Sequence, residues 1–198
     1  MKKQLKKGFR QTKYIFYQET LVDFKDHFWS FLGAFFGIGL IAFLQSLHLT
    51  EIENVFLIGS FGASSVLIYG AVNSPLAQPR NLIGGHVLSA LVGVTVYKFL
   101  PEILWLSASI AVASSIVVMQ ITKTMHPPGG ATALIAVLPA GKIQALGYWY
   151  ALSPVLSGVL ILLVMALIFN NIPQGRKYPH RIKQNKYFHM RRMLKRKH

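Results

Sequence analysis

The chain has 198 residues, of which 53% are hydrophobic and only 14% charged, whereas a soluble domain carries about a quarter charged residues. Charge is also segregated: residues 1–26 hold seven Lys/Arg against three acids, 172–198 hold ten against none, and the 145 residues between hold four against three. A soluble globule is excluded, the absence of cysteine excludes disulfides and thiolate chemistry, and what remains is the composition of a small polytopic membrane protein.

Residues 1–26 read as a basic, amphipathic cytoplasmic segment lying on the membrane interface. No cleavable signal peptide is expected, because the first apolar run begins near Phe28, behind a long basic and aromatic lead. Six apolar segments follow within a transmembrane region over 27–171: 28–47, 55–72, 82–100, 103–121, 129–140 and 148–169. Six crossings at about 20 residues each leave room only for short loops. The second segment contains a run of small residues at 59–65 that could interrupt it. The fifth offers about twelve apolar residues after Pro127 and Pro128, too few for a helix that crosses a 30 Å core, so it is expected to be a half-helix or re-entrant. The expected fold is an all-α integral membrane protein, a small bundle of six membrane-inserted segments of which four to six cross fully, with two of them broken or re-entrant.

Laid on itself at an offset of 68, the chain pairs Gly62-Ala63-Ser64 with Gly130-Ala131-Thr132, and Val87-Leu88-Ser89 with Val155-Leu156-Ser157. This suggests a three-plus-three internal repeat. Three crossings per copy would invert the second copy relative to the first, a common transporter architecture; two re-entrant segments would leave the copies parallel.

Lys and Arg near span ends stay on the cytoplasmic side, so both basic ends are expected there, in a multi-pass membrane protein of a bacterial inner membrane. The polybasic stretch 172–198 is interleaved with aromatic residues and methionines, and it follows directly on an apolar span. Anionic lipid, rather than nucleic acid, is its expected partner.

Paired carboxylates, metal-binding histidine spacings and a nucleophile beside a base are all missing, so an enzyme, a metal and a cofactor are not expected. What the sequence offers is glycine followed by small hydroxyl residues. A helix N-terminus exposes unsatisfied N–H groups and a partial positive charge, and glycine lets an anion approach them. Two such starts are expected, one at Gly62, Ala63, Ser64 and Ser65, the other at Gly129, Gly130 and Thr132, where the proline pair breaks the incoming chain. In an inverted repeat they would meet near the bilayer midplane and hold a small anion. Arg80, His86 and His126 are candidate further contacts. The alternative reading of the same small residues is close helix packing.

Two stretches, Met125-His126-Pro127-Pro128-Gly129-Gly130-Ala131-Thr132-Ala133-Leu134 and Asn73-Ser74-Pro75-Leu76-Ala77-Gln78-Pro79-Arg80-Asn81-Leu82-Ile83-Gly84-Gly85-His86, resemble the HPP family of integral membrane proteins over about 28–169. The resemblance implies a four-span fold and, because chloroplast and cyanobacterial members are implicated in nitrite transport, a transporter or channel for a small inorganic anion with nitrite the leading candidate. The regulatory CBS domains that some relatives carry are not expected. The alternative function is a non-transporting membrane component that recruits a partner or senses anionic lipid through its basic ends. A homodimer or trimer is expected, on the ground that the short segments need cover from lipid.

Overall fold

A computed structural model describes residues 24–101 and 103–180, and among these every regular element is helical. The long helices are α1 (Phe24–Ser46), α3 (Pro79–Phe99) and α4 (Leu104–Thr122). The last crossing is composite, running from α6 (Gly141–Leu146) through irregular turns over 147–156 into α7 (Ser157–Phe169). Four stretches are long and apolar enough to cross a membrane: Lys25–Ser46, Pro79–Phe99, Leu104–Thr122 and Gly141–Phe169. Between them lie α2 (Glu51–Ser65), prolonged by a π-helical turn over Val66–Gly70, and the ten-residue α5 (Pro128–Val137). The expected half-helix at 129–140 is therefore present. The expectations for 1–26 fall almost wholly outside the described residues, as do those for 181–198.

Contacts at the helix ends fix each element's direction. The face of the bundle that carries Phe24 is here the proximal face. Ser30 near the start of α1 donates to the Tyr69 carbonyl at the end of the α2 stretch, while Asn54 near the start of α2 donates to Ala42 near the end of α1. α1 and α2 are antiparallel. Arg80 at the start of α3 donates to the Thr122 carbonyl at the end of α4, which makes that pair antiparallel too. α5 runs parallel to α3, with Gly85 against His126 and Gly93 against Ala133 and Ala136. α7 opposes α1, with Phe169 beside Gly33 and Gly158 close to Gln45. Consecutive segments thus alternate in direction, and α1–α2–α3 run in the opposite sense to α4–α5–α7, as three traverses per copy require. The Ser60 hydroxyl lies 3.1 Å from the carbonyl oxygen of Pro128, its counterpart at the offset of 68.

Small residues let these helices close. A β-carbon on Gly33 would lie 2.5 Å from the Tyr69 ring, and one on Gly37 would lie 2.8 Å from the Tyr69 hydroxyl. The stripe Gly85, Ser89, Gly93 on α3 receives the α5 backbone in the same way, since a β-carbon on Gly93 would come within 2.4 Å of the Ala133 carbonyl oxygen. This is the small-residue packing that apolar helices use in lipid, where hydrophobicity alone gives no reason for them to associate. The outer surface stays apolar, with Phe31, Phe35, Phe43, Ile121 and Val164 among its exposed side chains. Trp105 and Trp149 are 73% and 70% exposed, suited to the interfacial anchoring expected of aromatic residues at span ends.

The chain after α7 folds back over the proximal face. Arg176 forms an ion pair with Asp26 at 3.8 Å and donates to the Asp26 carbonyl, the Ser30 hydroxyl and the Tyr69 carbonyl. Tyr178 donates to the Ala77 carbonyl at 2.8 Å, and burial pushes its hydroxyl pKa up, which keeps it a neutral donor. The sequence reading counts Arg176 with the lipid-facing basic tail, but the structure makes it a tie between α1, the end of α2 and the chain beyond α7.

Candidate functional site

The sequence of α2 contains no proline, and its glycines at 59 and 62 do not interrupt it. A backbone that left the helix here would leave amides and carbonyls unpaired at membrane depth, a cost of several kcal/mol per group, against about 1 kcal/mol for a glycine within a helix. α2 therefore passes unbroken through 59–65, and the expected helix start at Gly62 is not formed. Ala63 faces outward, Gly62 has open space around it, and the buried Ser65 hydroxyl has no hydrogen-bond partner.

The second start does form, because Pro127 and Pro128 supply no N–H and the chain must break ahead of them. α4 ends in a left-handed residue, Lys123, and 123–127 then dips into the bundle beside Gly84 and Gly85. α5 consequently begins inside the fold. Its first amides are not free, however: Gly129 donates to the His126 carbonyl at 2.8 Å and Gly130 to the Pro127 carbonyl at 3.0 Å. Gly129 is wedged so tightly that a β-carbon would lie 2.7 Å from the Gly85 oxygen and 2.8 Å from the Ser89 hydroxyl. The berth of opposed backbone amides is absent at both places, and close packing is what Gly129 does.

Side chains take its place. Ser60 and Ser64 lie one turn apart on α2, His86 on α3, His126 just ahead of α5 and Thr132 within it, and each is at most 2% exposed. The Ser64 hydroxyl bridges the two imidazoles, 2.7 Å from His86 Nε2 and 2.9 Å from His126 Nε2. His86 Nδ1 lies 2.7 Å from the Thr132 hydroxyl, which is 2.8 Å from that of Ser60. His126 Nδ1 reaches the Leu76 carbonyl at 2.8 Å, and Ser60 reaches the Pro128 carbonyl at 3.1 Å. Tyr150 donates to the Thr132 carbonyl, and Phe61 covers the His86 ring with centroids 5.4 Å apart. His86 is the eighth residue of α3, so the cluster sits about 10 Å inside the proximal end at 1.5 Å per residue.

Of the ten expected site residues, Ser64, His86, His126 and Thr132 converge here. Arg80 does not. It is exposed and caps α4 through the Thr122 carbonyl, a role open to any cation at a helix C-terminus. Ser60, Tyr150 and the carbonyls of Leu76 and Pro128 were not anticipated, nor was Ser89, whose buried hydroxyl has no partner. Ser60 had a readable signal, because its spacing of four from Ser64 puts both on one helix face.

Cavities lie to either side of the cluster. One of about 590 Å³ near the distal face is lined by Gln45, His48, Lys142, Ser153, Ser157 and neighbouring apolar residues. Another of about 360 Å³ at the proximal face is lined by Asp26, Ser30, Tyr69, Asn73, Ser74 and Arg176 among others. None of the five cluster residues lines either cavity.

Comparison with known proteins is consistent with this architecture. Residues 19–179 match the family described as HPP, transmembrane region. A transmembrane protein of Dictyostelium discoideum is 47% identical over 163 residues, covering 79% of this chain and 51% of the relative. A second transmembrane protein of that organism is 42% identical over 160 residues, covering 79% of this chain and 56% of its own. The chain therefore spans about half the length of these curated relatives. No solved structure matches it.

Proposed function

Because the chain belongs to the HPP transmembrane family, we propose that this multi-pass membrane protein moves a small inorganic anion, nitrite the leading candidate, across the bilayer past the buried hydroxyls and imidazoles. The observation that carries this reading is the cluster itself. Polar side chains inside a membrane bundle are expensive, and they usually mark a solute or ion pathway. Hydroxyl and imidazole N–H donors can replace part of an anion's hydration without trapping it as a guanidinium would. The described acids support the same reading, because Asp26, Glu51 and Glu53 all lie at helix ends, away from the cluster. The two cavities, one towards each face, would be its approaches, with the cluster as the closed section between them. Both basic ends would lie in the cytoplasm.

The test is anion uptake into liposomes containing the purified full chain, at a pH well above the pKa of nitrous acid, since the protonated form crosses bilayers unaided. Saturable nitrite uptake above that of protein-free vesicles is expected. Ser64→Val, which removes the bridge between the imidazoles, should lower uptake about tenfold, the equivalent of one lost buried hydrogen bond. Failure to move nitrite, nitrate or chloride under either a voltage or a pH gradient would discard the reading.

One observation favours a second reading, a non-transporting component that recruits a partner or senses anionic lipid. The cluster satisfies its own polar groups and neither cavity reaches it. Seventeen of the 21 Lys and Arg lie in the two end segments. Silent flux assays combined with selective retention of a tail-bearing chain by anionic vesicles would select this reading.

A further inference from the structure

The cluster's hydrogens can be counted. From the Pro128 carbonyl to the Leu76 carbonyl there are six links in series: Pro128 oxygen to Ser60, Ser60 to Thr132, Thr132 to His86, His86 to Ser64, Ser64 to His126, and His126 to the Leu76 oxygen. Ser64 has a seventh, branching contact to the Ser60 carbonyl one turn back at 3.2 Å. The two carbonyl ends accept only. The five side chains between them, when neutral, each supply one proton. Seven contacts are thus served by five protons, and two must be empty.

Geometry decides which. His126 Nδ1 faces the Leu76 carbonyl oxygen at 2.8 Å, and two lone pairs cannot share that distance, so Nδ1 bears the proton. Neutral His126 then accepts at Nε2, and the Ser64 proton goes to it at 2.9 Å rather than to the Ser60 carbonyl at 3.2 Å, which is one of the two empty contacts. Ser64 must in turn accept from His86 Nε2, leaving His86 Nδ1 to accept from Thr132 and Thr132 to accept from Ser60. The other empty contact is the one between Ser60 and the Pro128 oxygen, and at 3.2 and 3.1 Å the two empty contacts are the longest of the seven, the others spanning 2.7–2.9 Å. The neutral chain therefore has a single polarity, running from Ser60 through Thr132, His86 and Ser64 to His126.

We propose that this five-residue chain is a proton-binding relay, one proton short of filling its six links in series, that takes up a single proton together with the transported anion. When a proton reaches the Ser60 oxygen, the Ser60 proton passes to Thr132, that of Thr132 to His86 Nδ1, that of His86 Nε2 to Ser64, and that of Ser64 to His126 Nε2. The new Ser60 proton points to the Pro128 carbonyl, all six links in series are filled, the four between Ser60 and His126 with their direction reversed, and the net gain is one proton and one positive charge, held on the His126 imidazolium. An anion arriving with the proton balances that charge.

Few other titratable or charged groups face the chain. Tyr150 touches it through the Thr132 carbonyl, and Tyr178 binds the Ala77 carbonyl next to Leu76. The Tyr69 hydroxyl lies against Gly37. On α2, Glu53 is held at the far end by Thr50 and Lys142; on α3, Arg80 binds the Thr122 carbonyl and Lys98 lies over the Tyr148 ring. α4, α5 and α7 carry no ionisable side chain within their ranges, although exposed Lys123 follows α4 directly. Among the described residues, the chain's own histidines are the groups placed to hold the proton.

The coupling part of this proposal rests on the transport reading, whereas the proton count does not, so two measurements separate them. The first is 15N NMR of the full chain, labelled at histidine and placed in lipid nanodiscs, with His86→Gln and His126→Asn used for assignment. Opposite tautomers are expected in the neutral state, Nδ1–H for His126 and Nε2–H for His86, with both rings changing together on acidification. The same tautomer on both rings, or independent titration, overturns the relay whatever the flux assay gives. The second follows lumenal pH with a trapped dye during nitrite uptake. One proton per anion is expected of the wild type. Thr132→Val, which keeps shape but breaks the chain, should lose proton movement at least tenfold, and Thr132→Ser should restore it. Nitrite uptake without proton movement in the wild type overturns the coupling and leaves transport standing. Expected tautomers with no uptake of any anion remove the transport reading and the coupling together, and leave a proton-binding chain.

Discussion

A β-carbon would meet opposite fates on Gly93 and Gly62, although both are helical glycines in apolar surroundings. On Gly93 it would sit 2.4 Å from the Ala133 carbonyl oxygen and 2.9 Å from its Cα, whereas on Gly62 it would find nothing within 4 Å. Backbone cannot yield as a flexible side chain can, so Gly93→Ala should force α3 and α5 apart and cost about 1–3 kcal/mol. Gly62→Ala should be neutral or stabilise by up to about 1 kcal/mol through helix propensity. Reversible unfolding in mixed micelles would measure both. A destabilised Gly62→Ala would mean that the small residues on α2 have a role beyond the helix, such as leaving a ligand room to approach. Runs such as Gly62-Ala63-Ser64 and Gly129-Gly130 look alike in sequence because composition records the missing side chain and not the neighbour that requires its absence.

The helices differ in how they begin and stop, and this decided how much of the site was legible in advance. The proline pair at 127 and 128 is an unconditional break, so the short α5 could be read from the sequence with its start almost in register. Glycine is only a permissive break. In α2 the need to keep backbone hydrogen bonds inside lipid outweighed it, and the expected interruption became a continuous helix with a π-helical turn at Val66–Gly70. The candidate site changed accordingly: His86, His126, Ser64 and Thr132 were recognised as polar residues in apolar segments, but their meeting depends on the 123–127 loop dipping inward. That loop turns at Lys123, which holds φ 57°, with Thr124 donating to the Met119 carbonyl in a Schellman closure. Lys123→Gly relieves the left-handed strain and should stabilise the protein by up to about 1 kcal/mol, although the freer unfolded chain offsets part of that gain. Lys123→Val should cost about 1–2 kcal/mol. Melting temperatures of the two variants give the order, and equal values would mean that the turn does not constrain α5.

At the scale of the whole molecule, the question is whether six segments of which only four are individually long enough to span can each carry the chain from one face to the other. The directions of the elements say that they do. α2 compensates by adding its π-helical turn, and α5 compensates because the 123–127 loop has already brought the chain inward before the helix begins. Eight of the ten residues of α5 are buried among α2, α3 and α4 of the same chain, which covers this short segment from lipid within one subunit. Six traverses place Leu47 and Lys142 at the distal face, and Asn73, Lys123 and Gln174 at the proximal face with Phe24. Four spans with two re-entrant segments would instead put Lys123 and Lys142 on one side. The chain contains no cysteine, so single cysteines can be introduced at these positions without a background. With a membrane-impermeant maleimide on oriented vesicles, Leu47→Cys and Lys142→Cys should label from one side, and Asn73→Cys, Lys123→Cys and Gln174→Cys from the other. The Lys123 and Lys142 pair is decisive for α5, and the Leu47 and Asn73 pair for α2. Labelling of either pair from the same side would make its segment re-entrant, and labelling of both pairs in that way would make the two halves parallel.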